Sequence, residues 1–204
     1  VGEPPIPNIL VYNGLRAAEF EPVPDRSDAA DLLYIGMMRD LKGPDIFIEA
    51  FARAEAALNR RLSAVMVGDG EHLPRYRAQV ETMGLADRVR FRPPMPARAA
   101  FELARLVVVP SRAEAMPYIV LETLAAGKPL IASAVGGIPE IFGIDSPALV
   151  EPSPEAVGEK MSFALSDLPA YRQMMPKAAT LRARFGADVM AAEIEKAYFA
   201  ALAK

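Results

Sequence analysis

Nothing narrows what this chain can fold into more than its apolar runs, which are short, unbroken and evenly separated. Residues 31–36, 64–68, 89–91, 106–109, 129–133 and 148–150 are built mainly from Val, Leu, Ile, Ala, Met and aromatic residues, with little polar alternation. A strand with one wet face alternates polar and apolar residues, whereas a strand covered on both faces does not. Between the runs lie longer amphipathic stretches. Residues 44–58 place Ile46, Phe47, Ala50, Phe51 and Ala54 on one helical face. Pro74 opens a second helix ending near Gly84, and Pro117 opens a third that runs to Ala126 and stops at Gly127. A short helix precedes 106–109, another covers 138–142, and the pattern from Pro154 onward reads as helices. A seventh run, 8–12, ends in an Asn13-Gly14 turn and is expected to be the first strand, followed by a polar connector over 21–28.

Strands that alternate with helices predict an α/β fold, a doubly wound parallel sheet of Rossmann-like type with C-terminal helices. Ligands of such sheets bind beyond the carboxyl ends of the strands, which directs attention to loops 36–43, 68–71, 92–96, 111–118 and 133–139. The length of 204 residues suits one domain with a helical extension. Cysteine is absent, which excludes disulfides, thiolate metal sites and a Cys nucleophile, and fits a reducing, cytoplasmic setting. A net charge of -3 argues against a general nucleic-acid surface but leaves room for one cationic pocket. No apolar run approaches the ~18 residues of a membrane span. The start, Val1-Gly2-Glu3-Pro4-Pro5, lacks the basic and apolar regions of a signal peptide and reads as the end of a linker. The chain is therefore expected to be a fragment cut at a domain boundary.

Loop 36–43 (Gly-Met-Met-Arg-Asp-Leu-Lys-Gly) sets Arg39 and Lys42 three residues apart in a turn that leads into a helix. A diphosphate needs such a site, with positive charge at short range and free N–H groups at a helix start. The same two cations read equally well as solvated loop charges. Gly68-Asp69-Gly70 permits a sharp turn or a close ligand approach, and no dinucleotide fingerprint is present. Loop 111–118 carries the strongest signal. Glu114 lies in the loop, Glu122 lies eight residues later in the helix, and between them the helix N-terminus offers N–H groups and a dipole to a phosphate. The bland alternative makes Glu114 a helix-start charge and Glu122 an exposed helix residue. For Gly136-Gly137, tight packing at a turn competes evenly with a ligand role. His72, the one histidine, reads as surface or capping, so no Ser-His-Asp set can be assembled.

Taken in order, Asn13-Gly14, Gly36 with Lys42-Gly43, Gly68-Asp69-Gly70, Val89-Arg90-Phe91, Val109-Pro110-Ser111, Glu114 to Glu122, Ala126-Gly127-Lys128-Pro129 and 135–140 resemble the C-terminal, nucleotide-sugar-binding domain of glycosyltransferase family 4, a GT-B fold family. The resemblance spans nearly the whole chain. It implies a retaining, metal-independent transferase whose donor is a nucleotide-diphosphate sugar. Lys42 would bind the diphosphate with Arg39, Glu114 the donor sugar hydroxyls, and Glu122 the ribose. Gly36, Gly68, Met116, Pro117, and the N–H groups of Tyr118 and Ile119 would line the phosphates. The loop with Arg92 and Met95 would border the base. The acceptor would sit on an N-terminal domain absent from this chain, and peripheral membrane association is expected only through that domain.

Three departures stand out. Met37 occupies the place of a common family arginine, whose charge Arg39 is expected to supply. Pro117 has no N–H to give. Pro93-Pro94 replaces a glycine-bearing turn. Two other readings compete: a non-catalytic nucleotide-binding Rossmann module, and another GT-B enzyme such as a nucleotide-sugar epimerase. The apolar face of the last helix (Met190, Ile194, Tyr198, Leu202) is expected to pack on this domain or on the missing one.

Overall fold

The computed structural model describes residues 9–143 and 145–202. Six of the apolar runs form strands: β1 (Ala30–Ile35), β2 (Ala64–Val67), β3 (Val89–Arg92), β4 (Ala104–Val109), β5 (Leu130–Ser133) and β6 (Leu149–Val150). All pair in parallel, in the order β3-β2-β1-β4-β5-β6. Register places Leu33 beside Val65 on one side and Val107 on the other. Successive side chains of a strand point to opposite faces, so each unbroken apolar run feeds two cores. Leu32, Tyr34, Met66, Leu106 and Val108 belong to one, and Leu33, Val65, Val67, Val107 and Val109 to the other.

The helices are α1 (Pro44–Leu58), α2 (Leu73–Thr82), α3 (Ala97–Phe101), α4 (Tyr118–Ala125), α5 (Ile138–Phe142), α6 (Pro154–Ser166), α7 (Leu168–Gln173), α8 (Ala178–Phe185) and α9 (Ala187–Leu202), with 3-10 turns at Ala17–Phe20 and Asp40–Lys42. The first core is closed by α1, α2, α6 and α7, the second by α3, α4, α5 and α8. Caps fix several starts. The Ser153 hydroxyl accepts from the Ala156 N–H at 3.1 Å, and Asp167 accepts from the Ala170 N–H at 3.0 Å. Among the described residues no helix is long and apolar enough to cross a membrane.

The expected strand 8–12 is not formed. Asn8 lies outside the described residues, and 9–12 have no strand partner. Ile9 and Leu10 stay 56% and 75% exposed. Both sides of β1 are taken by β2 and β4, and the sheet's free edges, at β3 and β6, are far along the strand order. Pairing here shrinks to one parallel bridge between Leu15 and Gly186, where the Leu15 N–H donates to Phe185 and the Ala187 N–H donates to Leu15. The face of α9 named above packs on this domain only at Met190, half-buried beside Gly14. No residue of α9 is buried, and Tyr198 and Leu202 are 68% and 80% exposed. Lys128 is fully buried; its ammonium donates to Asp25 at 2.5 Å and to the Ala104 carbonyl at 3.3 Å, and burial lowers its pKa.

Candidate functional site

The strand order runs outward in both directions from β1 and β4, and a cleft opens beyond their carboxyl ends, where such sheets take ligands. Its volume is about 280 Å³, and it is lined by Tyr34 to Met37 at and just beyond the end of β1, by Lys42 before α1, by Val109 at the end of β4, by Ser111 and Glu114 in the loop after it, and by Pro117 to Ile119 at the start of α4. Two Lys42 donor contacts, each of 2.7 Å, reach both Glu114 carboxylate oxygens. The Ser111 hydroxyl donates to Glu114 Oε1, also at 2.7 Å. Glu114 is the more enclosed partner, its side chain 7% exposed against 24% for Lys42. A second cleft, about 210 Å³, shares Ile35, Gly36 and Met37 with the first and continues past Gly68 and Asp69 to Pro94 and Met95. The two form one concave surface with a charged end and an apolar end.

Local sequence explains how the loops come together. Gly43 takes a left-handed conformation (φ 67°) directly before α1, and a Cβ there would lie 2.1 Å from the Pro110 carbonyl oxygen. That close approach brings the turn carrying Lys42 against the β4 loop. The Tyr34 hydroxyl donates to the Met37 carbonyl at 2.9 Å, and burial raises its pKa well above the ordinary phenol value, so it stays a neutral donor. Helix α4 begins at Tyr118, so Pro117 stands at the capping position and removes no bond from the helical ladder. The N–H groups of Tyr118 and Ile119, ahead of that ladder, belong to residues that line the cleft.

The structure gathers Gly36, Lys42, Glu114, Pro117, Tyr118 and Ile119 in the first cleft, and Gly36, Gly68 and Met95 in the second. Four expected residues lie elsewhere. Arg39 lines neither cleft, and its Nε is buried without a hydrogen-bond partner among the described residues. Met116 packs on the second core, its carbonyl accepting from the Asn13 side chain at 3.4 Å. Arg92, the last residue of edge strand β3, lines a separate cleft against α2 together with Val89, Arg90 and Phe91. Glu122 sits one turn into α4, outside both clefts. Burial first, and the Glu19 carboxylate second, raise its pKa. Sequence reasoning missed Ser111 and Tyr34 as site residues. Ser111 was within reach of inspection, since it lies two residues past β4; Tyr34 reads as core. His72 stands at the cap position of α2 without a capping bond, 3.3 Å from Asp40.

A raised carboxyl pKa means that ionisation of Glu122 opposes folding. The penalty is complete above the folded-state pKa and disappears as pH falls below the unfolded one. Glu122→Gln is therefore expected to raise the melting temperature at pH 8, with the gain shrinking toward zero as pH descends through the carboxylate range. Thermal melts of both proteins across that range check this, and a gap that ignores pH would contradict it.

The sequence profile of the family described as Glycosyl transferases group 1 matches residues 16–182. A D-inositol 3-phosphate glycosyltransferase of Streptosporangium roseum is 32% identical over 190 residues, which cover 86% of this chain and 43% of that protein. Among solved structures, the Anabaena HepE protein in complex with UDP and glucose superposes with a TM-score of 0.80 at 18% identity, over 93% of this chain and 56% of that one. Sucrose-phosphate synthase from Thermosynechococcus elongatus superposes with a TM-score of 0.79 at 25% identity, over 96% and 53%. The chain thus spans under half of that curated relative and little more than half of each solved chain. A profile match running from before β1 into α8, over a doubly wound sheet of this order, is decisive: the chain belongs to the Glycosyl transferases group 1 family.

Proposed function

We propose that this chain is the donor-binding half of a retaining, family 4 glycosyltransferase that moves a hexose from a nucleotide-diphosphate sugar to an acceptor held by a separate N-terminal domain. The observation that carries the reading is the Lys42–Glu114 pair beside the open start of α4. A diphosphate entering there competes with Glu114 for the Lys42 ammonium. Glu114, released, keeps its two oxygens as acceptors for sugar hydroxyls. As the anomeric bond to the diphosphate breaks, negative charge grows on the departing oxygen. Lys42 and the positive end of the α4 dipole answer it without a metal. Arg39 adds charge only by turning its side chain toward the cleft. The apolar end, with Met37, Pro94 and Met95, takes the base, and Glu122 takes the ribose once the donor has drawn α4 and its surroundings together.

HepE was solved with UDP and glucose, which favours UDP as the first nucleotide to try. The curated relative is named for D-inositol 3-phosphate; the acceptor here belongs to a polysaccharide or glycolipid pathway in the cytoplasm. Isothermal titration with UDP, GDP and ADP tests the site. One nucleotide is expected to bind weakly and saturably, and Lys42→Ala and Glu122→Ala each to weaken it about tenfold or more, the value of one charged hydrogen bond. Binding that ignores both substitutions, or sugar turnover by the chain alone, would overturn the assignment.

A further inference from the structure

The turn that carries Lys42 is held from two sides. On one side its Asp40 carboxylate is bonded by Arg75 and by the Tyr76 hydroxyl at 2.6 Å, both on α2. These contacts hold that carboxyl down at about 2. On the other side stands Arg112, in the loop after β4. Its backbone N–H donates to the Leu41 carbonyl at 2.9 Å. Its guanidinium donates to the Asp40 carbonyl at 2.6 Å and forks onto the Asp45 carboxylate in the first turn of α1, at 2.9 and 2.5 Å. Arg112 is thus bonded on both sides of Lys42 in the chain, while its immediate neighbour Ser111 holds Glu114.

The geometry points to Arg112 as a positioning residue that keeps the Lys42 ammonium in register with Glu114, and through it sets the affinity of the site for a diphosphate. The second clause rests on the donor-site reading; the first does not. A planar guanidinium suits the task because its donors leave in fixed directions and reach a carbonyl and a carboxylate together. A lysine at the same place has one compact ammonium and no fork. An Arg112 that served only as a surface ion pair with the start of α1 would add little even to stability, since its side chain is 40% exposed, and would leave Lys42 untouched.

Two measurements on the whole chain separate these cases. The first needs no ligand: acetylation of Lys42 by an N-hydroxysuccinimide ester, timed by peptide mass spectrometry against the exposed Lys196. Arg112→Ala is expected to speed labelling at Lys42 about fivefold or more and leave Lys196 unchanged, with Arg112→Lys in between. Asp45→Asn, which removes the carboxylate but leaves the Asp40 carbonyl contact, is expected to give a smaller rise. The second is titration with UDP, GDP and ADP, where Arg112→Ala is expected to bind about tenfold more weakly than the unaltered chain, with a melting temperature nearly unchanged. Labelling that stays at the unaltered rate in Arg112→Ala overturns the positioning role and leaves the donor-site reading standing. Faster labelling in a chain that binds none of the three nucleotides supports the positioning role and retires the donor-site reading. A fall in affinity matched by an equal collapse of the melting temperature in both Arg112→Ala and Arg112→Lys overturns it in favour of a purely structural bond.

Discussion

Gly136→Ala is expected to melt about 5–10 °C below the unaltered chain, a loss of about 2–3 kcal/mol at this chain length. Gly136 has φ 54°, and a Cβ built on it would lie 1.7 Å from the Glu114 carbonyl oxygen and 2.7 Å from its carbon. Those are backbone atoms, so no rotamer change relieves the collision; one loop must move. The Gly137 N–H donates to the Ala115 carbonyl at 2.6 Å, so the movement also breaks the bond that ties the loop after β5 to the Glu114 loop. Gly84→Ala supplies the control. Gly84 has φ 65°, with nothing within 4 Å of an added methyl, and its substitution is expected to lose only about 1 kcal/mol of backbone strain. Melting curves of the two decide the matter. Equal losses would mean that the Glu114 loop yields freely and is not braced by its neighbour.

Lys42→Met is expected to reduce two quantities by separable routes. It leaves a mostly enclosed carboxylate with Ser111 as its remaining side-chain donor, and stranding a charge in that way costs about 2 kcal/mol when the lost partner is still partly in water. It also removes the cation that the donor reading gives to the diphosphate, worth about 10- to 100-fold in nucleotide affinity. Adding Glu114→Gln neutralises the stranded carboxylate. The double variant is therefore expected to regain most of the stability and none of the affinity. Chemical denaturation and titration on the same three proteins check this. Affinity that returns with stability would mean that Lys42 matters for folding alone.

The sheet was largely legible because a parallel sheet writes itself as unbroken apolar runs, and α1 matched its expected range of 44–58 because Gly43 and Pro44 mark its start without ambiguity. The failure at 8–12 has a physical cause: an apolar run states what a segment would bury, not whether a neighbour has a free edge to offer. The start of β4 at Ala104 was hidden by Arg105, an exposed charge inside an otherwise buried strand. The gathering of Lys42, Glu114, Tyr118 and Ile119 at one cleft was legible, because residue type and loop position agree there. It was not legible where orientation decides. Arg39 and Arg92 carry the right charge near the right strand ends, yet neither lines either cleft, and Arg92 faces the edge cleft against α2 instead. The Lys42–Glu114 contact joins residues 72 positions apart, which only the topology can bring together. Gly136 shows the same limit in another form. Its reading was evenly divided until its place against the Glu114 backbone showed what it packs on.

The outer strands of the sheet bear on how this chain behaves in company. An open parallel edge offers unpaired peptide groups to any passing extended segment and is a starting point for runaway association. One border here is β6, only two residues long. The other, β3, reads Val-Arg-Phe-Arg and is followed at once by Pro93 and Pro94. A foreign strand docking along β3 would press against two guanidinium groups and then meet two residues with no amide hydrogen to share. Arg92, which the resemblance set beside the base, thus stands with Arg90 as a guard along an exposed margin, and this sheet can stay finite without closing into a barrel.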